Sequence, residues 1–335
     1  MNILNTKPEV VVVTGASAGI GRATVRAFAR RGAHLGLLAR GIDGLEGARE
    51  EVELAGGRAL VLPTDVSDPN QVEAAADAVE QAFGPIDVWV NNAMVSIFAP
   101  VKQMNAEDYR RVTEVTYLGV VHGTLAALRR MVPRDHGSIV QVGSALAYRG
   151  LPLLSAYSAA KHAVRGFSEA LRAELLHDGS RVHVTMVHLP AVNTPQFTWV
   201  KARMTRKPRP VPPVYDPAVA AEAIVWAAHH RRRELLVGAP LLPVVLANKF
   251  APAITERFLA ARGYEMQEDR EPLEPHRQDN LWSPVPGDHG AHGRFVAEAR
   301  PRSTQLWLNT RRNWLLGGIV AGLSLFFLAS GRLRD

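Results

Sequence analysis

Four valines in a row, Val10–Val13, run straight into Thr14-Gly15-Ala16-Ser17-Ala18-Gly19-Ile20-Gly21, and a helix-periodic stretch begins at Arg22. A β-rich run that turns on glycine into a helix commits the N-terminus to an α/β unit, since the strand must pair and the helix must cover the sheet. Glycines let backbone N–H groups approach a ligand closely, and the positive end of the helix dipole follows them, so the turn suits a pyrophosphate. An ordinary left-handed turn also uses glycine; the flanking strand and helix favour the phosphate reading.

The alternation continues. Strands are expected at Val10–Val13, His34–Ala39, Ala59–Pro63, Val88–Asn91, Ser138–Gly143, His183–Leu189 and Glu234–Val237. Apolar-periodic stretches around Arg22–Arg30, Leu45–Leu54, Val72–Phe83, Tyr109–Met131, Tyr157–Leu176 and Val219–Ala228 lie between them. This pattern predicts a doubly wound, seven-stranded parallel sheet of Rossmann type with helices on both faces, residues 1–240. Ala191–Pro213, rich in Pro, Lys and Arg, has no clean period and is expected to be a flexible loop beside the site. Residues 241–310 read as a Pro-rich extension with one helical stretch near Lys249–Arg262.

Composition removes several chemistries. The chain has no cysteine, which excludes disulfides, thiolate metal sites and a cysteine nucleophile. The net charge of +7 is compatible with nucleic acid, an anionic membrane or a phosphorylated cofactor. Its basic clusters lack the aromatic spacing of nucleic-acid readers, so no nucleic acid is expected. The histidines, His183 and His188 among them, show no ligand spacing with carboxylates, and no metal is expected.

Two further features point to one chemistry. The second strand ends Leu37-Leu38-Ala39-Arg40, where an acidic residue would hold the ribose of NAD; an arginine there suits the 2′-phosphate of NADP, although a plain surface arginine is the alternative. Tyr157 and Lys161 are four apart on one helix face, and Ser144 follows the fifth strand at the sheet edge where such folds place their ligand crevice. A phenol with a pKa near ~10 passes protons poorly at neutral pH unless a nearby cation favours its anion, so a lysine beside a tyrosine makes sense as a tuner.

Thr14, Gly15, Gly19 and Gly21 supply the TGxxxGxG pattern, and with Ser144, Tyr157 and Lys161 in order the sequence resembles the short-chain dehydrogenase/reductase family over roughly residues 8–240. The resemblance implies an NADP(H)-dependent enzyme that interconverts an alcohol with a ketone or aldehyde, Tyr157 as general acid/base, Ser144 on the substrate oxygen and Lys161 on the nicotinamide ribose. It implies cofactor contacts from Gly15, Ser17, Gly19, Ile20, Gly21, Arg40, Asp65, Val66, Asn92, Ala93, Tyr157, Lys161, Pro190, Val192 and Thr194. Three positions depart from the family pattern. Met94 replaces the glycine of an Asn-Asn-Ala-Gly turn, Thr116 stands where many members have a relay asparagine, and Ala191 follows Pro190 where glycine is usual. These departures keep open a non-turnover NADP(H)-binding scaffold or sensor, and an epimerase or dehydratase on the same fold is a further reading.

The stretch Trp314–Ser330 is apolar all round and flanked by arginines, and as a helix would extend roughly 25 Å. It is expected to anchor the chain to a membrane, with residues 311–335 as a hydrophobic helix and the catalytic domain in the cytoplasm; a buried helix in a soluble oligomer is the alternative. A membrane tether would suit an apolar carbonyl or alcohol substrate. Gly318 and Gly322 would let two such helices approach, which leaves a homo-oligomer open.

Overall fold

The computed structural model describes residues 7–238 and 241–311. Seven parallel strands form the central sheet: β1 Val10–Thr14, β2 His34–Ala39, β3 Arg58–Pro63, β4 Val88–Asn91, β5 Ser138–Ser144, β6 His183–Leu189 and β7 Glu234–Leu236. Their order is β7-β6-β5-β4-β1-β2-β3. It reverses between β1 and β4, which opens a crevice at the carboxyl edge of the sheet.

The four valines show why the sheet is buried on both faces. Val11 and Val13 join one core, against Val25 and Phe28 of helix α1 (Gly19–Ala29), Leu45 and Val52 of α2 (Ile42–Leu54) and Ile224 of a later helix. Val10 and Val12 join the other, against Val72 and Val79 of α3 (Pro69–Phe83). A strand alternates its side chains between faces, so a continuous apolar run is what a doubly covered strand requires.

Two short polar residues start the next helices. Asp68 accepts from the Asn70 N–H ahead of α3, where Pro69 takes the first helical position, and Asn105 accepts from the Asp108 N–H ahead of α4 (Ala106–Thr113). The stretch read as one helix over Tyr109–Met131 is α4 joined to α5 (Gly119–Met131) through a widened π-type turn, Glu114–Leu118. Helix α6 (Ser155–His177) follows β5, and α7 (Pro217–Ala228) precedes β7.

Residues 191–213 are more ordered than a flexible loop. Ala191–Val192 pairs with Val214–Tyr215, Lys201–Ala202 with Ile97–Phe98, and Arg206–Pro208 runs antiparallel to Glu268–Pro272.

The expectation of a Pro-rich extension with a single helical stretch over residues 241–310 is corrected. After β7 come α8 (Leu241–Phe250) and α9 (Pro252–Arg262), parted where Pro252 opens a new helix. Beyond them an irregular stretch crosses the sheet edge and plugs Leu281 into the α3 core, and Leu306 into the α1 core. The membrane reading is corrected as well. Among the described residues no helix is long and apolar enough to cross a membrane, and Trp314–Ser330, which carried that expectation, lies outside them. Membrane anchorage and membrane localisation are therefore withdrawn.

Candidate active site

Two cavities meet at the sheet's carboxyl edge. The first runs from Arg40, Asp65 and Val66 past Gly15, Ser17, Gly19 and Ile20 to Asn92, Ala93 and Thr194. The second, about 650 Å³, holds Ser144, Tyr157 and Lys161, with Pro190 and Val192. Ile20, Asn92, Met94 and Thr194 line both, so the cavities are continuous.

The glycine turn is built by close approach. Gly15 and Gly19 take φ of 67° and 59°, in the left-handed region. A Cβ on Gly21 would stand 2.0 Å from the Gly15 carbonyl oxygen, so only glycine lets the helix begin that near the strand. The turn is also tied to the end of β4. Thr14 Oγ1 accepts from the N–H groups of Asn92 and Ala93, and Asn92 Nδ2 donates to the Thr14 carbonyl at 2.9 Å. Asn92 thus fixes the turn while lining the cleft.

At the far end of the cleft a cluster appears that the sequence did not disclose. Arg111, buried on α4, donates to Asp65 Oδ2, Ser67 Oγ and the Leu281 carbonyl. Burial works against ionisation of Asp65, but Arg111 and Ser67 outweigh it and hold the carboxyl below its usual range. Burial, helped by Arg111, lowers the pKa of Arg40. Two guanidiniums facing one carboxylate leave net positive charge at the end of β2. Nothing local marks Arg111 in the sequence, because it reaches the cleft from a helix 46 residues beyond Asp65.

The three candidate residues Ser144, Tyr157 and Lys161 line one cavity. Ser144 ends β5, and Tyr157 and Lys161 lie on the first turns of α6, which packs against that strand end. Lys161, 2 % exposed, donates to the Val142 carbonyl at 2.7 Å, and its Nζ stands 5.6 Å from the Tyr157 ring centroid. Burial pushes each towards its neutral form: the phenol up to about 12, against the opposing pull of the neighbouring Ser144 hydroxyl, and the ammonium down to about 8. At pH 7 these values leave a protonated phenol beside an ammonium.

The three departures find different places. Thr116 sits in the widened turn with its hydroxyl donating to the Val95 carbonyl at 2.8 Å and accepting from the Val95 N–H at 3.0 Å. It pins the segment after β4, and no hydrogen bond joins it to Ser144, Tyr157 or Lys161. Met94 stands between the two cavities, and neither it nor Ala191 needs a positive φ. His183 and His188 lie in β6, and no cluster of three potential metal ligands occurs among the described residues.

The second cavity is mainly apolar away from Tyr157, with Arg149, Arg209 and Gln267 among its polar lining. Phe98, Leu146, Leu154 and Phe197 line its inner part, and Ile254 and Phe258 of α9 form its rim while staying largely exposed. These residues come from four separate stretches with no shared motif.

Similarity to known proteins identifies the family. A family model described as short chain dehydrogenase matches residues 9–204. An uncharacterized oxidoreductase, YxnA, of Bacillus subtilis is 30% identical over 326 residues, covering 96% of this chain and 91% of that protein. A fatty acyl-CoA reductase of Acinetobacter baylyi is 31% identical over 69% of this chain and 76% of its own length. Among solved structures, an alcohol dehydrogenase from the archaeon Thermococcus sibiricus, complexed with 5-hydroxy-NADP, superposes with a TM-score of 0.57 at 28% identity, covering 68% of this chain and 95% of that one. The chain belongs to the short-chain dehydrogenase family and is an NAD(P)(H)-dependent oxidoreductase of that family.

Proposed function

We propose that the chain reduces a ketone or aldehyde carried on an apolar body, or oxidises the matching alcohol, with NADP(H) as cofactor and Tyr157 as the proton donor or acceptor. The observation that carries this reading is the placement of Ser144, Tyr157 and Lys161 around one end of an apolar pocket that opens into a phosphate-suited cleft.

The cleft fits the nucleotide. The glycine turn, where a Cβ at Gly15 would meet Ala93 and Asn92 at 2.9 Å, leaves backbone beside a pyrophosphate path. The excess positive charge of Arg40 and Arg111 over Asp65 favours a 2′-phosphate, and the archaeal relative's NADP derivative supports the same choice. When bound, the cofactor supplies the hydride. Ser144 and Tyr157 then hold the substrate oxygen by hydrogen bonds, Tyr157 Oη gives it a proton in reduction or takes one in oxidation, and the Lys161 ammonium stabilises the phenolate formed in the first case. Apolar walls around Phe98 and Phe197 bury the remainder of the substrate and exclude water.

A second reading, an NADP(H)-binding scaffold without turnover, is favoured by Thr116, whose hydroxyl is committed to Val95 on both sides. One measurement separates the two. NADPH oxidation with a panel of aldehydes and ketones is expected to proceed, and Tyr157→Phe is expected to lower its rate by a factor of about 10²–10⁴ or more. Tight NADPH binding with no turnover across the panel would instead establish the scaffold.

A further inference from the structure

We infer that residues 279–293 are a working part of the nucleotide site: a strap that closes over bound NADP(H) and has to lift before the nucleotide enters or leaves. The inference rests on the cofactor reading above.

The segment has no regular secondary structure, yet it spans the first cavity from rim to rim. On one rim Arg40 donates to the carbonyls of Asn280, Leu281 and Trp282, the Gly287 N–H donates to Asp43 at 2.7 Å, and the buried Arg22 makes a two-toothed pair with Asp288 at 3.0 and 3.1 Å. On the other rim the Gly290 carbonyl accepts from the Gly19 N–H at 3.0 Å, and the Gly293 N–H donates to the Asn193 carbonyl. Pro284, Val285, Gly287 and His289 line the cavity between these rims. The nucleotide cleft is therefore walled on its outer side by a part of the chain that lies beyond the 9–204 family match.

How the strap is fastened decides how it moves. Leu281 and Ala291 are buried, at 0 and 2 % exposure, and fix its two ends. Between them every residue is exposed or only partly covered, so the middle carries no apolar plug and rests on polar anchors alone. Such anchors exchange for water contacts when the middle lifts, whereas Leu281 could leave the core only by exposing apolar surface, so the middle bows outward while the ends stay docked. Gly287 and Gly290, at φ 97° and 60°, carry the backbone through the left-handed region this path needs.

Arg40 links the strap to the ligand. A guanidinium has five N–H groups. Three face strap carbonyls; Arg40 also lines the cleft, and among the described residues its other N–H groups make no hydrogen bond, which leaves them available to a 2′-phosphate. The Gly19 N–H, expected to face phosphate, is engaged by Gly290 instead, so the strap holds a group from each end of the phosphate path.

The chain has no cysteine, which allows a clean test. A Cβ on Gly41 would stand 3.2 Å from the Pro284 Cβ, close to the ~3.5–4.5 Å separation in disulfides. In the full-length Gly41→Cys/Pro284→Cys variant, NADPH loaded before oxidation is expected to stay bound, and the oxidised empty protein to refuse it, with dithiothreitol restoring wild-type exchange in both cases. NADPH fluorescence in a stopped-flow chase reads this without any substrate. Asp288→Ala, which frees the middle of the strap, is expected to raise the NADPH release rate about tenfold, the effect of losing one charge-assisted pair. Exchange at the reduced rate after verified crosslinking, or an unchanged release rate in Asp288→Ala, would overturn the strap and leave the catalytic reading standing. Failure of the wild-type chain to bind NADPH at all would bring down the cofactor reading and the strap with it.

Discussion

The two cavities that meet at Asn92, Met94 and Thr194 are built by opposite means. The nucleotide cleft is made of backbone and charge: a glycine turn locked to Asn92, two arginines over one carboxylate, and a strap fastened by hydrogen bonds. The substrate pocket is made of apolar side chains such as Phe98, Leu154, Phe197 and Phe258. Charge and directed donors discriminate sharply, because a misplaced or missing partner leaves a polar group unsatisfied, while apolar surface rewards any shape that fills it. The first cavity should therefore be selective for one ligand and the second graded among many.

The largest expected effect tests the selective side. Arg40→Ala removes a guanidinium that faces both the strap and the end of β2. A charge-assisted contact of this kind contributes roughly 1.5–3 kcal/mol, so NADPH affinity is expected to fall by about 10- to 100-fold. NADH, which lacks the 2′-phosphate, should lose much less. Titration of both nucleotides by fluorescence checks this. Equal losses for the two would make Arg40 a strap anchor only and place the phosphate reading on Arg111.

The Tyr157–Lys161 pair in the second cavity gives the next effect. Burial lowers the Lys161 ammonium from its ordinary value to about 8, so the lysine is charged at pH 7 and loses its proton as pH rises through that value. The Tyr157 phenol, pushed up to about 12, keeps its proton over the same range. For reduction, kcat/KM for NADPH reports the free enzyme and is expected to fall above about pH 8, approaching tenfold per pH unit. Lys161→Arg, whose guanidinium stays charged throughout, should abolish that limb of the profile even where its overall rate is low. A limb that persists in the variant would assign the titration to another group.

The contrast between the cavities also explains what could be read from the sequence. All seven strands fall within a residue or two of their expected places, because each is a short, largely apolar run with glycine or polar breaks at its ends; burial on both faces forces that pattern in the inner strands, while β3 and β7 at the edges are only partly covered. The glycine turn was equally legible, since its eight residues are consecutive and Gly21 has no alternative beside the Gly15 carbonyl. Ser144, Tyr157 and Lys161 were expected to converge, and they do line one cavity. The strap left no mark in the sequence because its fastening is non-local: the Asp288 carboxylate meets the Arg22 guanidinium across 266 positions, and Arg40 reaches the carbonyls of Asn280, Leu281 and Trp282, contacts that leave no periodicity. Its prolines and glycines, Pro284 to Gly290, read as an absence of structure, when they mark an irregular path satisfied by side chains from elsewhere. The apolar run Trp314–Ser330 is a strong local signal that lies outside the described residues, and among those described no helix is long and apolar enough to cross a membrane.

The smallest effect per step tests the graded side. If the apolar walls bury the body of the substrate, each methylene added to a straight-chain aldehyde contributes about 0.8 kcal/mol while it remains inside, a gain of roughly fourfold in kcat/KM. The gain should continue from short aldehydes until the chain reaches the rim at Ile254 and Phe258, then level off, because those side chains are already 69 and 53 % exposed and offer little further burial. Phe258→Ala should bring the plateau to shorter chains, since it removes wall at the rim and leaves Phe98 and Phe197 in place. Turnover of short aldehydes with no dependence on chain length would show that the pocket does not hold the substrate body. The contrast between a directed cleft and an apolar one would then have to be sought in some other ligand of the second cavity.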